Sequence, residues 1–164
     1  DDQLAVAVAQ ACVTAGYCGV VRHIIEQSLD RQWNPELARL YGECPEKDAI
    51  GQIERAEGWL ASHPGDAGLL LALGKLCIQQ ELWGKAQNYL DASLSIDRDY
   101  PAHLALAQLN EKIGQARLAK DHYDRGLALA LHRLKVLGHK HLVDENGSGD
   151  DLRSSGLGTH VLDS

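Results

Sequence analysis

Apolar positions recur along this chain at spacings of three and four, and turn-forming residues cut the pattern into segments. Leu4 to Ala15 predicts a first helix, which Gly16 ends. Cys18 to Arg31 predicts a second, with Val21, Ile24, Ile25, Ser28 and Leu29 on one stripe. Trp33 to Cys44 is less regular: Pro35 suits the first turn of a short helix, and Gly42 and Pro45 stop it early. Ile50, Ile53, Ala56, Trp59 and Leu60 mark another amphipathic helix, and His63-Pro64-Gly65-Asp66 breaks the chain after it. Ala67 to Gln79 and Trp83 to Ser95 form the clearest helix pair. Asp99-Tyr100-Pro101 opens the next, near Ala102 to Ile113 and Gln115 to Leu137, with Gly114 at the turn. From Gly138 the pattern fades into Asp, Gly and Ser. The expected division is a helical domain over 1–137 and a flexible polar tail over 138–164.

The helices repeat. Gly74, Ala86, Leu90 and Ser93 recur as Ala107, Ala119, Tyr123 and Gly126, each 33 positions later. Small residues at fixed places mark close helix contacts, and a period near 33 marks stacked helix-turn-helix units. Ala9 lies 65 residues before Gly74, about two periods, so the first helix pair reads as a third copy. The stretch from Trp33 to Leu60 reads as a degenerate unit with a truncated first helix.

Composition narrows the function. The chain of 164 residues is 45% apolar and 24% charged, enough for one ordinary domain with a sizeable core. Phenylalanine is absent, so Ala and Leu must supply most of that core. The net charge of -7 argues against nucleic acid, whose binding depends on neutralising phosphates with Lys and Arg. The uncharged run Leu4 to Val21 is read as a buried helix, a Gly16-Tyr17-Cys18-Gly19 turn and the start of a second helix, rather than a membrane span. There is no methionine, so the sequence is expected to be a piece of a longer chain. Cys12, Cys18, Cys44 and Cys77 show no CxxC or zinc spacing, and are expected to be free core residues of a kind that suits a reducing compartment.

Leu70, Leu73-Gly74, Cys77, Ala86, Leu90 and Ser93, followed by Leu106-Ala107, Ala119, Tyr123 and Gly126, resemble the tetratricopeptide repeat pattern. The resemblance implies an all-α solenoid of three to four helix-turn-helix repeats, one degenerate. It also implies a concave groove lined by the first helix of each pair. In this register the groove would present Gln10, Thr14, Leu71, Lys75, Ile78, Gln79, Gln108, Glu111 and Lys112, with Val6 and Leu104. Mixed apolar and amide groups of this kind suit an extended peptide or a partner helix.

A more specific likeness runs over residues 1–132. Trp33-Asn34-Pro35-Glu36-Leu37-Ala38-Arg39-Leu40-Tyr41-Gly42, Trp59-Leu60-Ala61-Ser62-His63-Pro64, Leu69 to Cys77 and Leu82-Trp83-Gly84-Lys85-Ala86 resemble the C-terminal repeats of the proteobacterial HemY family. The resemblance implies an inner-membrane parent protein anchored by helices upstream, with the repeats on the cytoplasmic side. It further implies a link to haem and porphyrin biosynthesis. The expected function is a non-enzymatic scaffold for other proteins or peptides, with haem-biosynthesis enzymes as candidate partners and no cofactor. The alternative is a porphyrin or haem carrier.

Other chemistry is thinly represented. His139 and His141, with His132 before them, could chelate a metal only in an extended chain; a solvated basic helix end is the plainer reading. Cys77 and His103 are the candidate haem ligands, although Cys77 falls at a core position. Asp121, His122 and Asp124 lie close in sequence but point apart on a helix, with His122 and Arg125 expected to be exposed. No nucleophile elbow or phosphate loop is present, so no catalytic residue is assigned.

Overall fold

The computed structural model describes residues 2–147, which form eight α-helices and no strand. They are α1 (Asp2–Thr14), α2 (Cys18–Arg31), α3 (Pro35–Tyr41), α4 (Ile50–Ser62), α5 (Ala67–Gln79), α6 (Trp83–Ile96), α7 (Tyr100–Lys112) and α8 (Ala116–Gly147). The uncharged run from Leu4 to Val21 is split at Gly16, and no described helix is long and apolar enough to cross a membrane.

Capping residues set several of these limits. Asn34 Oδ1 accepts from the Glu36 and Leu37 amides, and Pro35 fills the first turn of α3. Asp66 Oδ1 accepts from the Leu69 amide at the start of α5. Three of the four helix pairs then share one turn. Gly16, Glu81 and Gly114 each take a left-handed φ, of 83°, 57° and 79°. The following amides of Tyr17, Leu82 and Gln115 donate to Cys12, Cys77 and Asn110 carbonyls. This is the Schellman closure, which satisfies carbonyls left open at a helix end.

First helices touch in succession, α1 with α3, α3 with α5 and α5 with α7, and α2, α4 and α6 each lie against the next first helix. The expected echo residues mark the close approaches. Gly74, Ala86, Leu90, Ser93, Ala107, Ala119 and Gly126 are all buried. Ser93 Oγ also donates to the Ala67 carbonyl at 2.9 Å.

Two expectations are corrected. The helical domain does not stop at 137: α8 continues through Gly138 to Gly147, about 48 Å in all. One helical glycine costs only about 1 kcal/mol, too little to end a run of good helix formers such as Leu134, Lys135, Leu137, Lys140 and Leu142. The remainder of the expected tail, 148–164, lies outside the described residues. Nor are all four cysteines free. Cys18 and Cys44 form a disulfide with Cα atoms 5.1 Å apart, while Cys12 and Cys77 stay unpaired. A separation of 26 residues carries no local signal; packing of α2 on α3 brings the sulfurs together.

Two measurements check this packing. An alanine in place of a helical glycine normally adds stability, but a Cβ at Gly74 would lie 2.5 Å from Leu90 Cδ2, and Leu90 is fully buried. Gly74→Ala is therefore expected to lower the urea-unfolding free energy, by about 1–3 kcal/mol; a stabilised variant would contradict the contact. Opening the Cys18–Cys44 bridge releases a loop of 26 residues, so dithiothreitol should lower stability by about 3 kcal/mol. A melt identical with and without reductant would count against a stabilising bridge.

Candidate functional site

Lys75, Ile78 and Gln79 of α5 stand beside Gln108, Glu111 and Lys112 of α7, and together they line one pocket of about 450 Å³. Consecutive first helices lie side by side, so residues in equivalent last turns converge. Gly42, Glu43 and Pro45, just after α3, complete the wall. Spacing does not reveal these three, because the truncated α3 offers no register to transfer and Gly42 and Pro45 read as stop signals.

The pocket mixes charge with free amides. Lys75 Nζ forms an ion pair with Glu43. Tyr123 of α8 donates its hydroxyl to Glu111 Oε2 at 2.8 Å. Gln79, Gln108 and Lys112 are exposed and have no hydrogen-bond or ion-pair partner among the described residues. Paired donors and acceptors of this kind can serve a peptide backbone, and Ile78 and Pro45 add apolar surface beside them.

Three expected groove residues lie elsewhere. Gln10 and Thr14 are exposed on α1, which among the described residues packs only on α2 and α3, and the Thr14 hydroxyl donates back to the Gln10 carbonyl. Leu71 is buried in the seam where the starts of α5 and α7 meet, beside Ala67, Gly68, Pro101 and Ala102. The seam opens at that end into a small cleft of about 70 Å³, apart from the pocket near Lys75. Val6 and Leu104 are half-buried and do not line that pocket, and Leu104 is packed over Gly126.

The five histidines singled out by the sequence divide into two groups. His132, His139 and His141 are exposed on α8, and helical geometry points His139 and His141 about 200° apart, which rules out His-x-His chelation there. His122 differs from expectation. It is half-buried, and its Nδ1 lies 3.1 Å from His103 Nδ1 across the α7–α8 seam. The signal was hidden because the pairing depends on how α8 rotates against α7. Burial lowers both pKa values; His122 and Arg125 lower that of His103 further, and Arg125 also lowers that of His122, opposed by Asp91 and Asp121. Cys77 is fully buried, and burial pushes its thiol up to about 11, the chemistry of an inert core residue. No group of three or more potential metal ligands occurs among the described residues. No protein-family model matches the chain, and a search of curated proteins finds no match.

The histidine pair gives a signed pH effect. Both groups are harder to protonate folded than unfolded, so protonation favours the unfolded chain. Their contribution to stability is complete above the unfolded pKa near 6.5 and falls as pH drops toward the depressed folded values. Urea midpoints should fall between pH 7.5 and 5.5, and His103→Gln with His122→Gln should flatten that slope. An equal slope in the double variant would remove the pair as its source.

Proposed function

We propose that this chain is a tetratricopeptide-like solenoid of three to four helix-turn-helix repeats, one with a shortened first helix, acting as a non-enzymatic scaffold for other proteins or peptides. The succession of first helices and the shared left-handed turn support the architecture. One observation carries the function: six side chains from two repeats converge on one pocket with the amides of Gln79 and Gln108 unpartnered. Buried polar groups in a bound strand need such partners.

The HemY resemblance adds an inner-membrane parent and haem-biosynthesis enzymes as candidate partners. The disulfide bears on sidedness. Structural disulfides persist in oxidising compartments and are rare in the cytosol, so the Cys18–Cys44 bridge favours the outer face over the cytoplasmic one.

The test is retention of partners from solubilised membranes by the intact chain and by a variant carrying Gln79→Glu, Gln108→Glu and Lys112→Glu. Lys75 is left unchanged because it holds Glu43. Circular dichroism checks that the variant folds. We expect at least a tenfold loss of retained haem-pathway enzymes with an unchanged helix signal. Equal retention would sink the groove as the binding surface.

A further inference from the structure

A second cleft, of about 520 Å³, opens between α6 and α8 over α7. It is lined by Leu94, Arg98, His103, Arg125, Ala128 and Leu129, and it shares no residue with the α5–α7 pocket. We propose that this cleft binds a small organic acid: an alkyl chain of medium length with a carboxylate held by Arg98 and Arg125.

The argument begins with unmatched charge. The chain carries -7 overall, yet neither Arg98 nor Arg125 forms an ion pair among the described residues. The acids nearest in sequence, Asp97, Asp99 and Asp124, are directed elsewhere. Asp97 and Asp99 flank Arg98 and line the clefts on the α3 side. Asp99 is also engaged, accepting from the Tyr100 amide and from Arg133. On α8, Asp124 is paired with Lys120 at 2.6 Å. Two guanidinium groups therefore border the same cleft, and neither has an ion-pair partner among the described residues; the other nearby acids, Asp91 and Asp121, act on His122.

The rest of the lining sets the ligand's other half. Leu94, Ala128 and Leu129 offer apolar walls, and a bare inorganic anion would leave them uncovered. The volume lies within the range of small-molecule pockets. A guanidinium fork matches a planar carboxylate with two parallel hydrogen bonds, which a neutral ligand of the same shape cannot receive. His103 contributes a rigid wall, since its ring is held against His122.

The test is isothermal titration of the full chain with decanoate and with decanol, alongside Arg98→Gln, Arg125→Gln and, outside the cleft, Arg133→Gln. Both cleft arginines are exposed, so their variants should fold, which circular dichroism checks. We expect one decanoate per chain, at least tenfold weaker binding of decanol, about tenfold loss for each cleft variant and none for Arg133→Gln. A histidine-selective ¹H–¹⁵N spectrum should shift His103 on addition of decanoate. No decanoate binding below millimolar concentration would overturn the proposal. So would decanol binding as well as decanoate, or cleft variants that bind normally, an outcome that would move the ligand to the exposed leucines of α8.

Discussion

Leu37, Ala38, Leu40 and Tyr41 bury most of α3, and helix packing between the α1–α2 pair and the rest of the molecule runs through these few residues. Burying each large apolar side chain contributes about 1.5–3 kcal/mol, so a helix too short to persist alone is held by its neighbours. Side chains reinforce the joint. Tyr41 donates to Glu26 of α2, while Arg55 and Trp59 of α4 reach Asp30 at the end of α2. Trp33 stacks on His63 and donates to Asp66, the residue that caps α5. Behind α3, a Cβ at Gly42 would lie 2.5 Å from Ala72 Cα, so only glycine lets α5 come this close. The pocket wall at Glu43 and Pro45 is in position because α3 is.

α7 shows how one helix can serve two clefts. Ala102, Ala105 and Ala107 are buried, and their small size admits neighbours on several sides. That leaves His103 for the cleft under α8, and Gln108, Glu111 and Lys112 for the pocket beside α5. Polar groups drawn into the interior are matched: Asn110 donates to the Leu106 carbonyl, and Gln52 bridges the Cys44 carbonyl and the Glu46 amide. Among the described residues no buried side-chain polar atom lacks a partner. Unmatched donors are therefore concentrated on open surfaces, where an incoming molecule can meet them.

What the sequence made legible was local or periodic. The breaks at Gly16, His63 to Asp66 and Gly114, and the buried echo from Gly74 to Gly126, depend on backbone chemistry and on close helix approach, both of which leave fixed spacings. The register also brought six of the nine expected groove residues to one place. It misjudged Leu71 because a spacing rule says which face a residue occupies, not which end of a seam it reaches. Gln10 and Thr14 stand on α1, which α3 separates from α5, so they fall outside that pocket. The His103–His122 contact and the Cys18–Cys44 bridge join residues from different elements, and no periodicity encodes such meetings. Glu81 is a further case. It holds a left-handed turn that Gly16 and Gly114 hold elsewhere, so the geometry recurs although the residue does not.

The bridge also changes how this molecule would carry load. Tension applied along the backbone would pass from Cys18 directly to Cys44 through the sulfurs, bypassing residues 19 to 43. Most of α2 and all of α3 lie inside that bypass. A pull that peeled α1 away would reach a covalent stop before it reached the joint helix, and the slack stored in those residues would stay out of play. Under strain from its N-terminal side, the molecule would give up its first helix and deliver the load to Cys44, between the pocket-wall residues Glu43 and Pro45.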